Sequence, residues 1–477
     1  MQVTMEQEDK FEVDPDWVMP QLEELVPDGG RLSQEVRILD STYFDTPRAG
    51  LRLFGITLRR RIGGTETGWQ LKVPSGTARE ELQSEWPTKA LPLPMEQGVQ
   101  GLLAGESLDA VARIMTTRTA YQLLNADNQL VLEIADDQVE SGPPEDDSAL
   151  RSWREIEAEL GPAGKKKDLK RARKLLQAAG AAPSTSRTKL DRTLGTLPDG
   201  QVPAVEADTV GELVAAYLTA QCDVLASNDV GMRTGQLAVH KTRVAARRLR
   251  STLRVFGDLF AAAPAEELND ELSWYADLLG EVRDRDILSS RLTKLIAELP
   301  PEQVRGPVEA QITKTLAVER QQAVDELQEA MRSTRYQKLI QLLRGWKTAP
   351  PFTDAAREDA KVAVKYAKKA KKKAYKRLRK ADEDIELLHR ARKAMKRARY
   401  AAELAKPADK KMKRVARDAE ELQTLLGEHQ DAKVVANFLS RFTSAQDGEV
   451  AESTFTCGVL TTNELNRAAG IRASLTS

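Results

Sequence analysis

The chain has 477 residues, more than one hydrophobic core usually supports, so two or three domains are expected. Lys plus Arg and Asp plus Glu number 72 each, giving a formal net charge of zero, yet residues 361–380 contain eleven Lys or Arg and no acid. The two cysteines are too few for a disulfide framework and no apolar run approaches the roughly 20 residues of a membrane span, so a cytoplasmic protein without a membrane span is predicted.

The first half of the chain has the period of β-strands. In residues 5–13, charged side chains occupy every second position, at Glu6, Glu8, Lys10 and Glu12. Further strands, separated by Gly, Pro and Asp clusters, are predicted at 37–46, 55–63, 68–74, 79–87, 128–141 and 151–160.

Most of these strands place ionised side chains on one face and apolar side chains on the other. Arg59 and Arg61 share a face, Lys72 shares one with Gln70, and EIEAE at 155–159 repeats the opening pattern. One such strand is ordinary in an exposed sheet. Five or more in one domain predict a sheet with a polar inner surface, which a closed antiparallel barrel usually provides.

A cavity lined by both signs of charge has a definite chemical use. Arg and Lys donate hydrogen bonds to phosphate oxygens, and Glu and Asp are hard oxygen ligands for Mg²⁺ or Mn²⁺. Arg79 and Glu85 are expected at the rim of the barrel. For these two residues a purely structural role in salt bridges stays open as the alternative.

The ordered motifs of this half resemble the CYTH family, the triphosphate tunnel metalloenzymes. The resemblance begins with E-x-E-x-K at 6–10 and continues through YFDT (43–46), TLRRR (57–61), QLKVP (70–74), Arg118, EIADD (133–137), EIEAE (155–159) and SRTKLDR (186–192). It implies an antiparallel barrel of about eight strands that holds a linear triphosphate and hydrolyses it with a metal.

Site residues follow from the same resemblance. The catalytic residues implied are Lys10, Glu6 and Glu8. The implied metal ligands are Glu6, Glu8, Asp137, Glu155 and Glu157. The implied phosphate-binding residues are Lys10, Arg59, Arg61, Lys72, Arg118 and Lys189. Gln83 and Thr116 depart from the family pattern, where an acid and a base are common, which leaves rate and substrate preference open.

The period changes to that of helices from about residue 210, with breaks at 299–303 and 348–353. Residues 196–208 carry two prolines and a glycine and are the predicted linker. The expected architecture is therefore a multidomain α+β protein, with a β-barrel tunnel domain at 1–200 and an all-α domain at 208–477.

The helical half contains an internal duplication. VHKTRVAARRLRSTLRVF (239–256) and LHRARKAMKRARYAAEL (388–404) are related by an offset of 149, and LLGE at 278 recurs at 425. Helical spacing places His240, Arg243, Arg247, Arg250 and Arg254 in one stripe, whose repulsion an anion would offset. Pairing with acids of neighbouring helices is the alternative, and the presence of two copies favours the anion. His429, the third histidine, leads no stripe.

These repeats resemble the CHAD domain, a duplicated helical bundle, and the resemblance implies binding of inorganic polyphosphate. The implied binding residues are His240, Arg243, Arg247, Arg250, Arg254, His389, Arg392, Lys396 and Arg399. The low aromatic content, 5%, argues against single-stranded nucleic acid, which uses stacking. The segment 365–380 is either an additional polyanion track or a solvated basic face, and duplex DNA and acidic membrane stay open as nonspecific ligands for it.

The leading hypothesis is a metal-dependent hydrolase of inorganic triphosphate, or a related triphosphate, joined to a polyphosphate-binding domain that could hold it on polyphosphate granules. The alternative is a non-catalytic polyphosphate-binding protein with a degenerate tunnel. A third hypothesis is an adenylyl cyclase or a thiamine triphosphatase. It requires a pocket for a nucleoside or a thiazole, and the sequence shows no aromatic cluster that would form one. No specific nucleic acid partner is expected.

Overall fold

The computed structural model describes residues 2–64, 67–76, 78–84, 89–145, 151–195, 197, 207–235, 238–381, 384–444 and 451–476. The chain divides into two compact units, Met1–Gln201 with Asp229–Gln236, and Val202–Asn228 with Leu237–Ser477. Most of the predicted linker at 196–208, together with Glu85, lies outside the described residues. The domain limits 1–200 and 208–477 therefore stay a prediction.

The first unit contains an antiparallel sheet of ten strands. The strands are β1 Gln2–Glu6, β2 Glu8–Glu12, β3 Arg31–Asp45, β4 Thr57–Ile62, β5 Gly68–Ser75, β6 Ala78–Ser84, β7 Asp109–Leu124, β8 Leu130–Gly142, β9 Arg151–Leu160 and β10 Ala182–Pro183. Their hydrogen-bonded order is β1-β6-β5-β4-β3-β7-β8-β9-β2-β10. The sequence analysis missed β7, although alternate residues from Ala112 to Ala120 are buried along it.

The opening stretch, predicted as one strand, forms two strands on opposite sides of the sheet. β1 pairs with β6 and β2 pairs with β9, and Gln7 alone separates them along the chain. Since the hydrogen-bonded order ends at β1 and β10, the sheet itself is open and the closed barrel stays a prediction.

The two faces of the β2–β9 region differ in polarity. Phe11, Ile156 and Ala158 pack in an apolar cluster with helix α2, Lys166–Ala178. The alternate residues take the other face, where Lys10 lies opposite Glu157 and Glu8 opposite Glu159. The period-2 pattern thus places the charges on an enclosed face, where ionised groups need partners.

A turn follows the YFDT motif at the end of β3. Tyr43 lies opposite Arg59 in the β3–β4 register, and Asp45, two residues on, accepts hydrogen bonds from the backbone N–H groups of Leu51 and Arg52. Asp45 of the YFDT motif therefore fixes a turn. The remaining helices of this unit are α1, Leu93–Leu103, and α3, Lys189–Leu194.

Nine helices follow in the part of the chain that the structure describes. They are α4 Val210–Arg233, α5 Val239–Val255, α6 Ala262–Ala297, α7 Val308–Arg332, α8 Thr334–Thr348, α9 Val362–Arg379, α10 Ile385–Ala405, α11 Met412–Ser444 and α12 Ala451–Thr476. Shifted by 149 positions, α4 and α5 fall on α9 and α10, and the predicted breaks lie between α6 and α7 and between α8 and α9. No described helix is both long and apolar enough to cross a membrane.

Candidate functional site

A polar cavity of about 40 Å³ lies in the first unit and is called the ionic cavity below. It is lined by Glu6, Glu8, Lys10, Tyr43, Thr57, Arg59, Arg61, Lys72, Arg79, Arg118, Glu157, Glu159, Thr188 and Lys189. All six predicted phosphate-binding residues belong to this set, as do three of the five predicted metal ligands. The sequence analysis assigned no role to Tyr43, Thr57, Glu159 or Thr188, and it left Arg79 open.

Two lysines of the ionic cavity are held by carboxylates. Lys10 Nζ lies 2.7 Å from Glu157 Oε1 and 3.3 Å from Glu8 Oε1, and Lys72 Nζ lies 2.5 Å from Glu6 Oε1. Burial lowers the pKa of both ammonium groups, but the carboxylates outweigh it, Glu157 for Lys10 and Glu6 for Lys72, and raise both pKa values above the ordinary lysine range. Both lysines are therefore cations at neutral pH.

Asp137, Glu155 and Glu157 form a buried group of three carboxylates whose oxygens lie within 4.8 Å of one another. Lys189 Nζ lies among them, 2.8 Å from Asp137 Oδ2 and 2.7 Å from an oxygen of each glutamate. Arg118 also donates to Asp137, at 2.7 and 2.8 Å. The charge of this trio is therefore compensated by Lys189 and Arg118 of the chain itself. Asp137 and Glu155 do not line the ionic cavity.

The other acidic group of the cavity is less well compensated. Burial, then Glu6 and Glu8, raise the pKa of Glu159 well above its usual value, and Lys72 only partly opposes this shift. In addition, Glu6 Oε2 is buried without a hydrogen-bond partner in the described structure. Carboxylate oxygens are hard donors of the kind that divalent cations prefer, and among the described residues the acids whose oxygens lie close enough together to hold one are Asp137, Glu155 and Glu157.

The arginines of β4 provide the cationic side of the cavity. Arg59 donates to Gln70 Oε1 at 2.5 Å and to the hydroxyl of Tyr43 at 3.0 Å, and Arg61 donates to Ser41 Oγ at 3.1 Å. Burial raises the pKa of Tyr43, but the two guanidinium groups outweigh it and lower that pKa on balance. These hydrogen bonds help to hold both guanidinium groups at the wall of the cavity.

In the second unit, two adjoining cavities of about 450 and 380 Å³ form one groove lined by residues of α5, α6, α10 and α11, which is called the basic groove below. Both cavities are lined by Arg243, Arg247, His389, Arg392 and Lys396. Arg250 and Arg254 line the larger cavity and His240 the smaller. The sequence analysis missed Arg283, Arg291, Lys393 and Arg397, which also line the groove.

Some donor atoms of the basic groove lack acceptors within the described residues. Buried Nε atoms of Arg247, Arg250 and Arg392 have no hydrogen-bond partner. Burial lowers the pKa of Lys396 from 10.5 to about 7, with Arg392 and Arg247 adding to the shift. Such shifts mark uncompensated positive potential, which a polyanion would relieve.

Other predicted groove residues are already paired or lie elsewhere. Arg243 Nη1 lies 2.7 Å from Asp284 Oδ1. Arg399 lies outside the residues that line the groove, with Nε 2.8 Å from Glu403 and Nη2 2.9 Å from Glu420. His429 is buried in α11 and does not line the groove. Intramolecular pairing, the alternative considered above, thus describes part of the basic set.

The repeated LLGE sequences place a glycine against each copy of the first stripe arginine. A Cβ at Gly280 would lie 3.2 Å from Arg243 Nη2, whereas a Cβ at Gly427 would lie 3.7 Å from Arg392 Nη2. Gly280→Ala must therefore displace the Arg243 guanidinium slightly. If the groove binds a polyanion, its affinity is expected to fall about threefold, since one charged contact is weakened. Gly427→Ala is the matched control with unchanged affinity. Equal affinities of the two variants in a titration would contradict this role for Gly280.

Comparisons with known proteins identify both units. Residues 5–194 match the CYTH domain and residues 216–440 match the CHAD domain. The uncharacterized protein Rv2226 of Mycobacterium tuberculosis (strain ATCC 25618 / H37Rv) is 32% identical over 497 residues, covering 99% of this chain and 95% of the relative. PptA from Streptomyces chartreusis is similar to 56% of this chain over 99% of its own, with 22% identity and a TM-score of 0.48. PH1819 from Pyrococcus horikoshii OT3 is similar to 39% of this chain over 94% of its own, with 18% identity and a TM-score of 0.23. The chain belongs to the family in which a CYTH domain is followed by a CHAD domain.

Proposed function

We propose that the CYTH domain, at 1–200, hydrolyses inorganic triphosphate or a related triphosphate with Mg²⁺ or Mn²⁺, and that the CHAD domain, at 208–477, binds inorganic polyphosphate. The observation that carries the first part is the lining of the ionic cavity, where carboxylates and cations face one enclosed space. Hydrolysis of a triphosphate needs this combination, because charge on phosphate oxygens must be neutralised while the reacting groups are held in place.

The proposal includes a closed barrel. β1 lies at one end of the hydrogen-bonded strand order and β2 lies next to the other end, yet a single residue, Gln7, joins them. Glu6 from β1 and Glu8 and Lys10 from β2 line the same cavity as Arg59 and Lys72 from the middle of the sheet. A sheet that wraps around the cavity accounts for this convergence, with the opening segment bridging the gap.

The carboxylates that would hold the metal are Glu6, Glu8 and Glu159, with Glu157 beside them. This set differs from the ligands expected from the sequence, because Asp137 and Glu155 do not line the ionic cavity and Glu159 does. When bound, the cation would neutralise phosphate oxygens. Lys10, Lys72, Arg59 and Arg61 would bind phosphate oxygens from the other sides.

A cavity of about 40 Å³ holds about one or two water molecules, so a triphosphate requires the ion pairs across it to separate. Glu6 and Glu157 would exchange their lysine partners for the cation, and the lysines would turn to phosphate. Cation and triphosphate should therefore bind together, because either one alone leaves buried charges without partners.

The small cavity also supports the second candidate, a non-catalytic protein that acts through polyphosphate binding. The two candidates are separated by phosphate release from tripolyphosphate, ATP and long-chain polyphosphate, measured on the full chain with Mg²⁺ or Mn²⁺. We expect release from tripolyphosphate that stops when a chelator removes the metal. No release with either metal, together with intact polyphosphate binding, would reject the hydrolase and support the second candidate.

Polyphosphate binding by the CHAD domain rests on the buried guanidinium donors of the basic groove. A flexible chain of phosphates can satisfy many separate point charges without stacking platforms. The proposed binding residues are those predicted from the sequence, without Arg399 and with Arg283 and Arg397. Binding measured by calorimetry should weaken steeply with salt, and a salt-independent affinity would contradict an electrostatic groove.

A further inference from the structure

A third cavity, of about 220 Å³, adjoins the basic groove on the side of α9. Arg254 and Arg397 line both this cavity and the larger part of the groove. Lys369, Lys373 and Arg377 of α9 line the new cavity only. Since these three residues are four apart, they lie on one side of the helix. The basic segment at 365–380 thus presents a defined stripe to this cavity.

The charge of this α9 cavity is strongly positive. Five cations line it against one carboxylate, Asp258, which lies 3.5 Å from the hydroxyl of Tyr366. Burial, followed by Arg254 and Arg377, lowers the pKa of Arg397 to about 10. The positive potential of the groove therefore continues through Arg397 into the α9 cavity.

The corresponding end of the other repeat is neutralised by the protein itself. Shifted by 149 positions, Arg254 falls on Glu403, which accepts hydrogen bonds from Arg248 at 3.0 Å and from Arg399 at 2.8 Å. The helix that corresponds to α9 is α4, whose one basic residue is Arg233. The two repeats therefore differ in charge at this end. The cations that line the α9 cavity outnumber the acids, whereas the cations at the corresponding place in the other repeat are paired with Glu403.

We propose that the basic groove continues past Arg254 and Arg397 into the α9 cavity, where Lys369, Lys373 and Arg377 bind further phosphate groups of a linear polyphosphate. This inference rests on the polyphosphate binding proposed above. The stripe from His240 to Arg254 spans about 21 Å along α5 at 1.5 Å per residue. A chain longer than this span leaves the groove at the α9 end and not at the Glu403 end.

The test compares two triple variants of the full chain. Lys369→Gln, Lys373→Gln and Arg377→Gln remove the stripe that lines the α9 cavity. Lys365→Gln, Lys368→Gln and Lys372→Gln remove the same charge from exposed positions of α9 that do not line it. Affinities are measured for two size-fractionated polyphosphates, one shorter and one longer than the groove, without divalent metal.

We expect the first variant to lose about tenfold or more in affinity for the long chain, since three phosphate contacts are removed, and little for the short chain. The control variant should lose less than about threefold for both. If the two variants bind the long chain equally, or if the first variant loses as much for the short chain, the extension is rejected. A wild-type chain that binds neither polyphosphate overturns the proposed function and, with it, the extension.

Discussion

Replacing Lys10 with alanine is expected to lower the rate of phosphate release from tripolyphosphate by a factor of at least about 10² to 10³. Lys10 is the cation between Glu8 and Glu157, and its raised pKa keeps it charged throughout the neutral range. It is thus placed to neutralise charge that develops on phosphate oxygens. Without it, two buried carboxylates would face the substrate with one cation fewer, and the loss should appear in kcat as well as in KM.

The matched control is Lys170→Ala, which removes an exposed lysine of α2 in the same domain and should leave activity unchanged. Far-ultraviolet circular dichroism and urea unfolding establish that the Lys10 variant is folded. Some loss of stability is expected because Glu157 loses one of its cations, although Lys189 and Arg118 remain within 2.7 Å. A folded Lys10→Ala protein with wild-type turnover would remove Lys10 from the proposed reaction.

Polyphosphate affinity should not change in the Lys10 variant if the groove of the CHAD domain is the binding site. This measurement also separates the two candidate functions. A hydrolase loses phosphate release and keeps binding, whereas a protein with a degenerate tunnel has no release to lose.

The strand pattern predicted the charged face of the CYTH domain but not which acids reach the cavity. Glu155, Glu157 and Glu159 alternate identically in the sequence, so periodicity cannot distinguish them. The pairing of β2 with β9 does, since Glu159 lies opposite Glu8 whereas Glu155 lies opposite Glu12. Of these three glutamates, only Glu157 and Glu159 line the ionic cavity, and strand register, which depends on contacts distant in sequence, decides this.

The helical repeats were predictable from their offset of 149 residues. Arg399 departs from this correspondence, and the departure has a physical cause. The offset maps Arg250 to Arg399, yet Arg397 lines the groove instead. Glu403, at the place of Arg254, lies one turn after Arg399 and forms an ion pair with it. A comparison of basic positions alone overlooked that acid, although the sequence shows it.

The affinity of the CHAD domain for polyphosphate is expected to fall as pH rises from 7 to 9, by up to roughly tenfold per pH unit. Lys396 has a pKa of about 7 in the free protein because burial, Arg392 and Arg247 disfavour its charge, and Arg243 adds to this while Asp431 opposes it. A bound polyanion favours the charged form and raises that pKa. Binding above pH 7 must therefore take up a proton, which lowers affinity as protons become scarce.

The histidines do not produce this effect, because burial and neighbouring cations lower the pKa of both His240 and His389 below 6.5. Both histidines gain their charge below the range from pH 7 to 9, where the added positive charge should strengthen polyphosphate binding further. The range above pH 7 therefore reports Lys396. Calorimetry in buffers of different ionisation enthalpy should detect the proton that is taken up.

Lys396→Arg should abolish the dependence between pH 7 and 9, since a guanidinium stays charged throughout this range. Lys393→Arg is the matched control, because Lys393 is an exposed lysine of the same helix that also lines the groove, and it should keep the wild-type slope. If wild-type affinity is flat above pH 7, or if Lys396→Arg retains the slope, then Lys396 is not the group that couples binding to pH. A slope lost only in Lys396→Arg would identify that single ammonium group as the site of proton uptake.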